Sequence, residues 1–130
     1  MARELGRILI AGGGIAGLTL AAALHRRGLD AEVVERGADW RPVGAGIAVQ
    51  PNGVRVLRGL GLGEPVGRAG AVIRRWQFRA LRGEVLCDVD LEALWGEVGP
   101  FIGITRARLH EALLSGAHAV PRRLGTSGRR

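Results

Sequence analysis

An α/β fold built on a parallel βαβ unit is what these 130 residues predict, and three observations predict it. Residues 7–11 (RILIA) form a short β-rich run that leads straight into three consecutive glycines, Gly12 to Gly14. Residues 15–27 are rich in Ala and Leu and stop at Gly28, a residue suited to the left-handed position after a helix. Residues 31–35 (AEVVE) are a second β-rich run, short and apolar enough for a buried parallel strand.

The remaining elements follow in order. Residues 39–46 (DWRPVGAG) read as a loop. Pro51 suits the first turn of a helix, and Val54, Leu57 and Leu60 continue it at helical spacing to Gly61. Residues 71–81 and 84–89 read as two strands about an Arg82-Gly83 turn, and residues 101–104 as another strand. Residues 106–114 carry Leu109, Leu113 and Leu114 on a helix that closes near Gly116. The last ten residues, PRRLGTSGRR, offer no face to bury and are expected to be a flexible tail.

Composition bounds the function. At 47% hydrophobic and 24% charged, the chain is neither a disordered tail nor a coiled coil, and its length suits one domain. All 19 basic residues are arginine, and the net charge of +7 is uneven. Residues 1–105 hold 13 arginines against 11 acidic residues, whereas residues 106–130 hold 6 against 1. A nucleic-acid groove needs basic residues spread along a face with stacking aromatics, and only Trp40, Trp76, Trp95, Phe78 and Phe101 are present; no nucleic-acid partner is expected. The uncharged run 8–24 superficially resembles a membrane helix, but three adjacent glycines would weaken any helix by about 1 kcal/mol each, and no membrane span is expected. One cysteine, Cys87, forms no internal disulfide and shares no metal site with the scattered histidines, so a reducing cytoplasm and no metal are expected.

Residues 12–17, Gly-Gly-Gly-Ile-Ala-Gly, fit G-x-G-x-x-G between a strand and a helix. Gly12 permits the tight turn, Gly14 lets backbone amides reach a pyrophosphate, and Gly17 lets helix and strand pack closely. The free N–H groups of the first helical turn, around Ile15 and Ala16, then attract an anion without any lysine. Glu35 ends the second strand, where a carboxylate accepts hydrogen bonds from a ribose diol. The alternative is a glycine turn that binds no nucleotide, with Glu35 a solvated charge.

RILIAGGGIAGLTLAAALHRRGLDAEVVER, VGAGIAVQPNGVRVLRGLGL and ITRARLHEALL, in that order, resemble the N-terminal part of the FAD-dependent aromatic hydroxylases, single-component flavoprotein monooxygenases akin to salicylate and 4-hydroxybenzoate hydroxylases. The resemblance reaches to about Val120 and favours FAD over NAD. It implies a Rossmann-like FAD-binding βαβ fold, incomplete, with a β-hairpin from the substrate-domain sheet. Residues 1–69 and 99–120 would be the cofactor-binding part, 70–93 the hairpin and 121–130 the tail of one truncated domain.

By the same resemblance, Gly12, Gly14 and Gly17, with Ile15 and Ala16 between them, would hold the FAD pyrophosphate, Glu35 the adenosine ribose, and Arg36 would lie beside the adenine. Arg41 and the loop 44–46, Gly46 included, would pass close to the cofactor, and Arg106 would reach its phosphate or ribityl part, a task for a planar fork of donors. Arg36 and Arg41 read equally as solvated charges, and Arg106 as a partner of Glu111 or as an exposed residue at a helix start. Trp76 and Phe78 read as packing residues rather than substrate contacts, and His25 as a cap at its helix end. No catalytic residue is identified.

The family's later portion, with its Asp-Gly and Gly-Asp segments and most of the substrate pocket, has no counterpart here. Two functions follow. One is the FAD-binding portion of a monooxygenase that uses NAD(P)H and O₂ to hydroxylate a small aromatic substrate, as a fragment or as a split subunit whose missing C-terminal part is encoded separately. The other is a non-catalytic, truncated or split nucleotide-binding remnant.

Overall fold

The computed structural model describes residues 6–40 and 44–126. β1 (Ile8–Ala11), α1 (Ile15–His25) and β2 (Ala31–Val34) form the expected βαβ unit, with β1 parallel to β2 in the register Ile8 to Ala31 and Ala11 to Val34. Gly12 continues the pairing by donating to the Val34 carbonyl at 2.8 Å. Its φ of +107° is a conformation that side-chain-bearing residues avoid. A Cβ on Gly17 would overlap the Gly12 carbonyl oxygen, so helix and strand meet here without a side chain between them.

The chain then departs from its sequence reading. The loop expected over 39–46 ends in a strand, β3 (Gly46–Val49), which leads into α2 (Pro51–Gly59). The unanticipated α3 (Gly63–Ala69), of poor intrinsic helix propensity, is held by fully buried Val66 and a surface Glu64–Arg68 ion pair of 2.8 Å. The single strand expected over 71–81 is two: β4 (Ala71–Val72) and β5 (Arg75–Arg79), the latter in a hairpin with β6 (Val85–Asp90). Between them the chain changes sheets, with Ile73 donating to the Phe101 carbonyl and Leu91 to that of Arg74. The hairpin sheet therefore begins at Arg75 rather than at residue 70. α4 (Leu91–Trp95) follows, capped by Asp90, whose carboxylate accepts from the amides of Glu92 and Ala93 at 3.0 Å.

β7 (Ile102–Thr105) pairs antiparallel with both β3 and β4, and α5 (Arg106–Gly116) starts at Thr105, whose hydroxyl accepts from the Arg108 amide. The expected flexible tail is a correction. β8 (Arg122–Arg123) lies parallel to β2 as the third strand of β1-β2-β8, and the amides of Gly125 and Thr126 donate to the carbonyls of Gly37 and Glu35. Main-chain bonds and an ion pair hold this segment, not an apolar face. Glu32, only 4% exposed, accepts from Arg123 and faces Arg7 at 3.1 Å. Residues 127–130 lie outside the described residues.

The core joins α1 to α5 beneath the sheets: Leu18, Ala21, Val33, Val54, Val66, Ile102, Ile104, Leu109 and Leu113 are all buried. Complete burial of a side chain such as Leu18 or Leu113 contributes about 1.5–3 kcal/mol. That packing presses α5 against the end of β1 and α1 that carries the glycine turn.

Candidate functional site

The glycine turn links β1 to α1, and Gly14 is the N-cap residue of the helix. No side chain caps α1 and no acidic residue stands in its first turn, so the N–H groups following Gly14 are left for an outside acceptor. No heavy atom lies within 4 Å of where a Gly14 Cβ would be. Apart from its chain neighbours, a side chain at Gly14 would meet open space.

Glu35 lies just beyond β2 and turns its carboxylate onto the same turn. Oε2 accepts from the Gly13 amide at 2.8 Å and Oε1 from the Gly37 amide at 2.8 Å. The Gly37 and Gly13 amides, and secondarily Arg36, hold the Glu35 carboxyl below its usual value of 4.5. Arg123 foremost, and Arg7, do the same for Glu32. The stability these two carboxylates confer is present in full above that value and is lost as pH falls through their lowered folded values. Thermal unfolding followed from pH 7 to pH 3 should show a midpoint that is flat to about pH 5 and falls below it, and Glu35→Gln should make that fall shallower.

The structure brings a second group of expected residues together. Gly46 pairs with Thr105 across β3 and β7, the Arg106 amide donates to the Ala45 carbonyl at 3.0 Å, and Arg106 Cδ lies 3.2 Å from where a Gly44 Cβ would be. Arg106 is exposed at the head of α5. Arg36 is exposed beside Glu35. Arg41 lies outside the described residues.

Sequence reasoning passed over His110. It is 6% exposed, and its Nε2 lies 2.8 Å from the Gly13 carbonyl oxygen. Its spacing from Arg106 was the available signal, because residues four apart share one face of a helix. Trp40, counted from the sequence only as an aromatic, packs where a Gly13 Cβ would be; its ring lies 6.2 Å from that of His110, with Arg122 Cζ 5.9 Å over it. His110 thus ties α5, whose first residue is Arg106, to the β1–α1 turn that bears the amides.

Among the described residues no three His, Cys, Asp or Glu side chains are placed to hold a metal ion, and no helix is long and apolar enough to cross a membrane.

The chain is similar to known proteins over most of its length. The family described as FAD binding domain matches residues 6–123. The 3-amino-4-hydroxybenzoate 2-monooxygenase of Streptomyces cremeus is 43% identical over 114 residues, covering 84% of this chain and 28% of that protein. Among solved structures, tetrameric 2-methyl-3-hydroxypyridine-5-carboxylic acid oxygenase matches with a TM-score of 0.83 at 31% identity, covering 95% of this chain and 32% of that one. Klebsiella pneumoniae HpxO, solved with FAD and uric acid, matches with a TM-score of 0.82 at 28% identity over 95% of this chain and 32% of its own. The chain spans under a third of the length of the curated relatives it matches.

Proposed function

Because the chain belongs to the FAD binding domain family, we propose that it is the FAD-gripping part of an NAD(P)H-dependent monooxygenase acting on a small aromatic substrate. The observation that carries this reading is the uncapped N-terminus of α1 behind an open Gly14, with Glu35 at its side. These residues fit the cofactor. The amides of Gly14, Ile15, Ala16 and Gly17 would receive the pyrophosphate, and the spare lone pairs of Glu35 the adenosine ribose. Arg106, with the Gly44 to Gly46 loop beside it, would meet the phosphate or ribityl end, and Arg36 the adenine side.

The chemistry supplied by bound FAD is hydride acceptance from NAD(P)H and activation of O₂, so that one oxygen atom passes to the aromatic ring. The part of these residues is to bind and orient. Relatives act on small aromatic compounds by their names. The greater part of a relative's length has no counterpart in these 130 residues, so a hydroxylase built on this domain draws the rest of its pocket from further polypeptide, in the same chain or separately encoded. A reducing cytoplasm suits both the nicotinamide donor and the single free Cys87.

The test is a titration of the purified protein with FAD and with NAD, followed by flavin fluorescence and by intrinsic tryptophan emission. FAD is expected to bind in preference. A response to NAD with none to FAD would overturn the reading.

A further inference from the structure

The peptide groups on either side of Gly13 are both held by side chains. The Gly13 N–H donates to Glu35 Oε2 at 2.8 Å, and its carbonyl oxygen lies 2.8 Å from His110 Nε2. A carbonyl only accepts, so Nε2 carries the proton in this bond. His110 is buried, comes from α5, 97 residues along the chain, and is confined by the Trp40 ring packed on the turn.

The geometry of a trans peptide gives that bond a direction. The Gly13 carbonyl and the Gly14 N–H belong to one planar unit and point to opposite sides of it. A donor that fixes the carbonyl from within the protein therefore fixes the Gly14 N–H on the opposite side of the peptide, away from His110. Polarisation through the peptide also makes that N–H a better donor.

We propose that His110 is a positioning residue for the cofactor's pyrophosphate: by gripping the Gly13 carbonyl it aims and polarises the Gly14 N–H, the amide at the mouth of the turn. The same residue couples the site's two halves, because Arg106 lies one turn earlier on α5. This inference rests on the FAD reading above.

The experiment is a fluorescence titration of the 130-residue protein and two variants with FAD and, separately, with adenosine, which lacks the phosphates. Failure of the parent protein to bind FAD would sink the FAD reading itself; the variants are read against a parent that binds. His110→Leu removes the donor and should weaken FAD at least about tenfold while changing adenosine less than about threefold. His110→Gln places an amide N–H at similar reach and should restore FAD to within about threefold of the parent. Should His110→Leu fail to fold by circular dichroism, His110→Asn, one methylene shorter, takes its place, and weaker FAD binding than in His110→Gln is the supporting result. FAD binding unchanged in the donor-free variant, equal loss of FAD and adenosine, or no rescue by glutamine would each overturn the assignment.

Discussion

Gly14→Val is expected to abolish FAD binding while leaving the chain folded. Gly14 sits at φ −78° and ψ −171°, extended backbone that any residue adopts, and an added Cβ would meet no heavy atom within 4 Å. The cost to the fold is that of a poor N-cap, about 1 kcal/mol. The branched side chain then stands where the pyrophosphate must approach the amides of α1. Gly17→Ala should behave in the opposite way. Its Cβ would overlap the Gly12 carbonyl oxygen, so β1 and α1 must move apart, with a loss of about 1–3 kcal/mol of stability. Glu35→Ala lies between the two: it gives up charge-assisted hydrogen bonds to ribose, worth about 1.5–3 kcal/mol, and also releases the Gly13 and Gly37 amides. FAD titration and urea unfolding of the three variants separate the effects. If Gly14→Val binds FAD like the parent, the pyrophosphate does not sit at this turn.

The 130 residues by themselves are expected to hydroxylate nothing. Oxygen transfer to an aromatic ring needs the reacting groups enclosed and bulk water kept out. The residues assigned to FAD here serve its adenosine, pyrophosphate and ribityl parts. The small-residue face of β3, β7 and β4 beyond Gly46, with Ala48, Ala71 and Gly103, lies open in a cleft of about 730 Å³. The hairpin leaves Trp76 41% and Phe78 54% exposed, stacked 6.2 Å apart, and Leu9 on edge strand β1 is 63% exposed. Exposed apolar surface of this kind and a free strand edge favour self-association. With NAD(P)H, FAD and a panel of hydroxybenzoates, the expected outcome is slow NAD(P)H consumption with hydrogen peroxide and no hydroxylated product by liquid chromatography, and species larger than monomer in sedimentation. Stoichiometric product would show that an assembled form encloses the ring.

The glycine turn was legible in the sequence because its determinants are local. Gly12 to Gly17, the apolar runs flanking them and Gly28 act over a few residues, and the positive φ of Gly12 and Gly28 occurs where a tight turn and a helix end are expected. The resemblance put the loop 44–46 and Arg106 each near the cofactor, but that the Arg106 amide meets the Ala45 carbonyl was not legible, since spacing alone does not bring residues about 60 apart together. Other features were set by long-range contacts that leave little periodic trace. β8 is two arginines held by main-chain bonds to β2 and by Glu32, so it has no apolar signature. β4 and β5 read as one strand because alternation does not mark where a chain leaves one sheet for another.

By itself, then, the sequence determined the βαβ unit, the anion-ready start of α1 and the carboxylate at the end of β2, all consequences of backbone sterics and hydrophobic pattern within some thirty residues. Only the tertiary structure decided that His110 grips the Gly13 carbonyl, that Trp40 backs the turn and that residues 121–126 extend the parallel sheet. A buried histidine finds its acceptor, and a polar strand its neighbour, only after the helices have packed and water has been removed from between them.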